Sequence, residues 1–258
     1  MNSRDQVFKN SVSRISHLSS QKFKIMFEII PSPGTENKTF EEIEKKIASV
    51  KTFTEIIHID VCDGKFAPNT TFSDPEPFKK FTALLPEDEG GWETGEKGLF
   101  FEIHLMVEDP IKEIKKWADA GFRRFIGQIE KMPSQEEFVA EAQMYGEAGL
   151  AIDGPTPLDA LKVAYDDLDV VLFFTGDKAG FSGQSLKEDR LEKVKALRKI
   201  EEYLPIEVDG GINDETIAIA AAAGVTRFVT TGFLFGLNTP EQQYKILEQK
   251  LKELTIAE

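Results

Sequence analysis

Two patterns of apolar residues alternate along this chain. Short runs, at Ile25–Ile30, Glu55–Val61, Leu99–Met106, Phe122–Ile129, Gly149–Ile152, Val170–Phe174, Ile206–Val208 and Arg227–Thr231, read as strands. Between them lie longer stretches with helical character: Phe40–Val50, Pro77–Leu85, the segment opened by Pro110, Glu136–Gly146, Leu158–Tyr165, Leu186–Tyr203, Glu215–Ala223 and Pro240–Leu254. Pro110 stands where the first turn of a helix tolerates proline. Strands alternating with helices of this length predict a parallel sheet with short connections. Eight such units in one run match a single α/β domain, a closed (β/α)8 barrel of TIM type, better than an open doubly wound sheet. A dinucleotide-binding sheet would carry Gly-x-Gly-x-x-Gly after its first strand, and none is there. The expected organisation is an N-terminal extension over residues 1–24 and a barrel over residues 25–258. The extension is rich in Ser and basic residues, a composition that faintly resembles an organelle transit peptide but reads more simply as an added segment. Pro86–Gly98, acidic and glycine-rich, is expected to be an exposed loop.

Active sites of such barrels lie at the C-terminal ends of the strands, so strand phase decides which side chains matter. In Ile57-His58-Ile59-Asp60-Val61 the histidine and aspartate share one face, about 6.6 Å apart, and the apolar residues share the other. His104, between Ile103 and Leu105, and Asp209, after Val208, follow the same phase. Each residue alone could be a satisfied core polar group. Two of the chain's three histidines and two aspartates converging from three strand ends instead form a plausible site for one divalent ion, Zn2+, Fe2+, Mn2+ or Co2+. The same phase puts Glu102 and Glu207 inside the barrel below that layer, where buried carboxylates need partners that the sequence does not name.

Glycine pairs add a second chemistry. Asp209-Gly210-Gly211 and Gly232 follow the seventh and eighth strands, where this fold usually holds phosphate on backbone N–H groups. Gly180-Phe181-Ser182-Gly183 would complete the cup from the sixth strand. The net charge of −14 changes how an anion could be held. It opposes binding to nucleic acid or to an anionic membrane, and leaves anion capture to local devices. A single cysteine, Cys62, excludes an internal disulfide and fits a reducing, cytoplasmic compartment. No apolar run approaches the roughly 20 residues needed to span a bilayer.

These stretches resemble the ribulose-phosphate 3-epimerase family. The likeness lies in His58-Ile59-Asp60-Val61-Cys62-Asp63-Gly64-Lys65-Phe66-Ala67-Pro68-Asn69, Ile103-His104-Leu105-Met106-Val107, Gly180-Phe181-Ser182-Gly183-Gln184 and Val208-Asp209-Gly210-Gly211-Ile212, in the family's order. Pro31-Ser32 and Pro155-Thr156-Pro157 fit its first and fifth strand ends. The resemblance implies a divalent metal on His58, Asp60, His104 and Asp209. It implies proton exchange by Asp60 and Asp209 on opposite faces of the substrate, through an enediolate. Ser32, Met106, Gly180, Phe181, Ser182, Gly183, Gly210, Gly211, Gly232 and Phe233 would surround the sugar phosphate. The implied reaction interconverts D-ribulose 5-phosphate and D-xylulose 5-phosphate, with the phosphorylated sugar as the partner and a homo-oligomer allowed. Departures from the family pattern at Cys62, Lys65, Gln128, Thr175–Ala179 and Phe233 keep two alternatives open. One is an epimerase of a ketohexose 6-phosphate of the allulose 6-phosphate type; the other is a phosphosugar-binding homologue without turnover.

Overall fold

The computed structural model of the chain describes residues 26–82, 98–236 and 238–256. The expected extension, residues 1–24, and residues 86–97 of the expected loop Pro86–Gly98 lie outside the described residues. Eight strands form one parallel sheet: β1 Glu28–Pro31, β2 Ile56–Cys62, β3 Phe100–Met106, β4 Arg124–Gln128, β5 Glu147–Ile152, β6 Val170–Phe174, β7 Ile206–Asp209 and β8 Arg227–Thr230. The pairing order β1-β8-β7-β6-β5-β4-β3-β2 makes a ring that is hydrogen-bonded everywhere except between β1 and β2. That seam is spanned by side chains: Ser32 just past β1 donates from Oγ to Asp60 Oδ2 on β2 at 3.0 Å. Lower down, Ile30, Ile56 and Val229 pack together across the same gap. The fold is the expected TIM-type barrel, closed by contact at one seam and by ladder hydrogen bonds at the others.

The helices lie outside the ring: α1 Phe40–Val50, α2 Lys79–Thr82, α3 Ile111–Ala118, α4 Gln135–Gln143, α5 Leu191–Ile200, α6 Thr216–Ala222, α7 Gly232–Gly236 and α8 Pro240–Ile256. Local sequence explains their starts. Thr39 caps α1 in a reciprocal box with Glu42, and Ile43, Ile47 and Val50 then recur on the buried face. Ser134 caps α4 by accepting from the Glu137 N–H at 3.1 Å. The strand positions that alternate with the site residues, such as Ile57, Ile59, Ile103, Leu105 and Val208, face outward into the main core under these helices. There Phe78, Phe101, Trp117 and Phe122 are fully buried and stack edge to face around β3 and α3.

One expected helix does not form. Leu158–Tyr165 carries only two 3-10 turns, Leu158–Ala160 and Tyr165–Asp167. Its backbone is satisfied from outside instead. The Gln135 side chain accepts from the Lys162 N–H and donates to the Ala160 carbonyl, both at 2.8 Å, and Gln143 donates to the Asp167 carbonyl at 3.0 Å. Two amides from α4 thus take up polar groups that an intrasegment helix would have paired.

Candidate metal and active site

Strand register assembles the site. Asp60 on β2 stands beside His104 on β3, and one layer lower His58 stands beside Glu102. Asp209 approaches from β7, separated from β2 in the ring by β8 and β1. Asp60 Oδ1 lies 3.2 Å from His58 Nε2 and 3.2 Å from His104 Nδ1. One ligand atom from each of His58, Asp60, His104 and Asp209 can be chosen so that all four lie within 4.8 Å of one another. All four expected ligands therefore meet at the barrel mouth.

The second nitrogen of each imidazole is already engaged. His58 Nδ1 lies 2.6 Å from Glu102 Oε1, and His104 Nε2 lies 2.7 Å from Gln128 Oε1. A carboxylate only accepts, so His58 carries a proton on Nδ1, and its Nε2 is turned toward the centre, beside Asp60 Oδ1. Two imidazole nitrogens and two carboxylates, with outer partners that fix the rings, are a donor set suited to a divalent ion. The residues present fit such a group.

A layer of buried charge lies beneath. Arg124 on β4 is opposite Glu102 in register and Glu147 on β5 is opposite Arg124. The guanidinium pairs with Glu102 and, through Nε at 2.6 Å, with Glu147. Arg227 Nε reaches Glu28 at 3.2 Å. Glu207 is the exception. It comes within 3.5 Å of His58 Nδ1, but that proton is directed to Glu102, and neither Glu207 oxygen has a hydrogen-bond partner. Arg124 was not singled out from the sequence, although alternation from Gln128 through Ile126 points it inward.

The electrostatics separate the two aspartates. Burial opposes ionisation of Asp60, but His58 and His104 outweigh it and hold the carboxyl well below the usual carboxylate range. Asp209 goes the other way, pushed up to about 6 by burial and then by the charge of Asp60. Burial alone would keep His58 neutral, yet Asp60, Glu102 and Glu207 raise it well above its ordinary value. Burial, with Asp60 next, pushes the Cys62 thiol far up, so it stays protonated at neutral pH.

Above the donor set opens a cavity of about 260 Å³. Asp60 and Asp209 reach it, as do Met106, Gly180, Phe181, Ser182, Gly183, Gly210, Gly211, Gly232 and Phe233 from the sequence reading. Ser32 does not line it: the residue is fully buried, its hydroxyl donating to Asp60 and accepting from the Gly34 N–H at 3.1 Å. Thr35, Phe174 and Asn213 join the lining without having been expected, and Thr231, at the expected end of the eighth strand, lines it too. Phe174 also packs with Cys62, Met106 and Ala179 into an apolar wall. No lysine or arginine lines the cavity among the described residues. Gly211 marks how tightly the loops approach: at φ +77° its added Cβ would lie 2.0 Å from the Leu186 nitrogen.

Comparison with known proteins places these features in context. Residues 32–235 match the model of the ribulose-phosphate 3 epimerase family. The chain is 32% identical to a ribulose-phosphate 3-epimerase from Candida glabrata, over 79% of this chain and 84% of that one. It is 36% identical to that of Eremothecium gossypii over 70% and 75%, and 30% identical to that of Bacillus subtilis over 80% and 91%. Among solved structures, 3-keto-L-gulonate-6-phosphate decarboxylase from Vibrio cholerae superposes with a TM-score of 0.62 at 13% identity, covering 89% of this chain and 99% of that one. The 3-hexulose-6-phosphate synthase from Salmonella typhimurium gives 0.60 at 13%, covering 88% and 99%. These two are likenesses of fold.

Proposed function

The chain belongs to the ribulose-phosphate 3 epimerase family, and on that premise we propose that it interconverts D-ribulose 5-phosphate and D-xylulose 5-phosphate with Asp60 and Asp209 as the proton-exchanging pair. Its reaction class is that of an isomerase. The observation that carries the assignment of roles is that these two carboxylates reach one cavity from β2 and β7 while sharing one set of imidazole donors.

A proton on the carbon beside a ketone is too weakly acidic for a carboxylate unless the resulting charge is stabilised. A divalent cation held by His58, Asp60, His104 and Asp209 would supply that stabilisation as a Lewis acid; Zn2+, Fe2+, Mn2+ and Co2+ all suit this donor set. The protein's own part is to hold and move protons. Asp60, kept ionised beside two imidazoles, removes the proton at C3 in one direction. Asp209, pushed up to about 6, takes up a proton far more readily than Asp60 and delivers one to the other face. In the reverse direction the roles exchange. Ser32 holds Asp60 Oδ2 in place, and the apolar wall of Met106, Cys62 and Phe174 keeps water from the deprotonated sugar. The glycine loops after β6, β7 and β8 take the phosphate on backbone N–H groups, which suits a cavity with no cationic side chain.

The reading extends to location and is supported there by two facts. Cys62 is a buried free thiol, and a relative from Oryza sativa, 30% identical over 79% of this chain, is named a cytoplasmic isoform. Among the described residues no helix is long and apolar enough to cross a membrane. On the thiol and the named relative, we assign the protein to the cytoplasm.

The deciding experiment is incubation with D-ribulose 5-phosphate in D2O in the presence of each candidate metal ion. Deuterium at C3 and appearance of D-xylulose 5-phosphate are expected. D-allulose 6-phosphate run in parallel tests the hexose alternative: turnover of it alone overturns the substrate, and exchange on neither sugar overturns catalysis.

A further inference from the structure

His104 presents one nitrogen to the donor set only if its proton sits on the other, and imidazole by itself has no strong preference between its tautomers. The structure supplies the preference through a chain of groups whose direction is fixed at its far end. The backbone N–H of Asp153 can only donate, and it donates to Glu130 Oε1 at 2.7 Å. Glu130 Oε2, as a carboxylate, can only accept, so the neighbour at 2.8 Å must be the Gln128 amide nitrogen. The Gln128 carbonyl oxygen is thereby turned to His104 Nε2, 2.7 Å away. That nitrogen must carry a proton, and Nδ1 is left facing Asp60 Oδ1 at 3.2 Å, where it donates to the carboxylate unless an ion takes the proton's place. Gln128 is fully buried, and among the described residues nothing else reaches its side chain to compete for this orientation.

We propose that Gln128 and Glu130 are positioning residues that set the tautomer of His104 and so present its Nδ1 to the metal. The proposal rests on the reading of His104 as a metal ligand. It is separate from the Glu102–Arg124 support of His58, which fixes the opposite nitrogen of the other ring. Glu130 is exposed to solvent at the rim of β4 and neither touches the metal ligands nor lines the cavity. Its influence is carried by Gln128.

This directional logic defines the test. In Glu130→Gln the Asp153 N–H claims the new side-chain oxygen, so the new amide nitrogen faces Gln128. Gln128 must then turn its oxygen outward and its NH2 to His104, moving the imidazole proton to Nδ1. Exchanging the two residues, Gln128→Glu with Glu130→Gln, restores the original direction, because a carboxylate at 128 accepts from both neighbours. Nitrogen-15 NMR of the ring nitrogens reads whether Nε2 carries a proton in metal-free protein; with only three histidines in the chain, His104 is assigned by its loss in His104→Gln. Zn2+ competition against a chelator reads affinity, and thermal melting checks that each variant is folded. The expected result is a proton on Nε2 in the parent and none there in Glu130→Gln. Zn2+ binding should weaken 10- to 100-fold in that variant and recover in the exchanged pair. An unchanged tautomer or unchanged affinity in Glu130→Gln overturns the proposal. A parent that takes up no ion while its tautomer follows residue 130 overturns the metal reading and leaves the relay standing.

Discussion

Glu102 and Arg124 pair inside the barrel, both shut off from water, one layer beneath the imidazole of His58. The pair serves two purposes, stability and ligand orientation, and substitutions can separate them. Arg124→Met leaves the Glu102 charge buried without its cation, a loss of about 3–5 kcal/mol in urea unfolding. Glu102→Leu combined with Arg124→Met removes both charges and should recover most of that stability. The double variant nonetheless takes from His58 Nδ1 its acceptor at 2.6 Å and leaves only Glu207 at 3.5 Å, so its metal affinity should stay about tenfold below the parent's. Unfolding curves and metal titrations on the same samples check the split.

Ser32 offers a sharper test of the active-site geometry than the aspartates do. Its hydroxyl is spent on Asp60 Oδ2 and lies outside the cavity lining. Losing a hydrogen bond to a charged group costs about 1.5–3 kcal/mol. Ser32→Ala should therefore lower kcat by roughly tenfold or more, with KM for the sugar phosphate nearly unchanged. A raised KM with normal kcat would instead make Ser32 a substrate contact. For comparison, Asp209→Asn should lose about 10²- to 10⁴-fold in kcat and bind substrate as before.

The parts of this design that were legible in the sequence are those governed by strand alternation. His58, Asp60 and His104 each sit between outward-facing apolar neighbours, and Asp209 follows outward-facing Val208 at the end of its strand, so phase and strand end together brought them to one mouth. The same phase placed Glu102 and Glu207 inside. Their partners were not legible, because which residue faces which depends on register between strands that are separated in sequence: Arg124 meets Glu102 through the β3/β4 pairing. The outer partner Gln128 stands on the inner face by the same alternation, but its role depends on the turn that brings Glu130 back beside it. The absent helix at Leu158–Tyr165 failed for a related reason. Its apolar spacing is helical, but tertiary hydrogen bonds from Gln135 and Gln143 decide its backbone.

Glu207 gives the metal-free protein a pH dependence with a definite sign. Burial, and then the charge of Glu102, push its carboxyl up to about 7 from an ordinary value of 4.5. The folded state thus favours the protonated acid. The associated stabilisation is complete below pH 4.5 and is lost as pH rises through about 7. Glu207→Gln removes the titration while keeping the shape. Relative to the parent, the variant should gain about 2–4 kcal/mol between pH 4.5 and 7 and hold that advantage above. Urea unfolding of chelator-treated protein at pH 4, 6 and 8 measures it; a constant difference across those values would exclude Glu207 as the titrating group.

The two glycine loops beneath the expected phosphate should respond in opposite ways to one added methyl group. Gly211 has φ +77°, and its Cβ would meet the backbone of Ser185 and Leu186, with the nearest atom at 2.0 Å. The left-handed conformation alone costs a non-glycine residue roughly 1–3 kcal/mol, and the overlap with fixed backbone adds to it. Gly232 lines the same cavity at an ordinary φ, with nothing within 4 Å of its Cβ position. Gly211→Ala should therefore lower the melting temperature and push the β6 and β7 loops apart, damaging kcat and KM together. Gly232→Ala should keep its stability within about 0.5 kcal/mol of the parent, because it meets no atom of the protein. Any effect it has must come from the ligand, and a methyl group where a backbone N–H approaches phosphate should raise KM about tenfold or more, one lost charged hydrogen bond, at nearly constant kcat. Inorganic phosphate, as a competitive inhibitor, should weaken in parallel. A Gly232→Ala protein with parental KM and parental phosphate inhibition would move the phosphate away from β8 and onto the β6 and β7 loops alone.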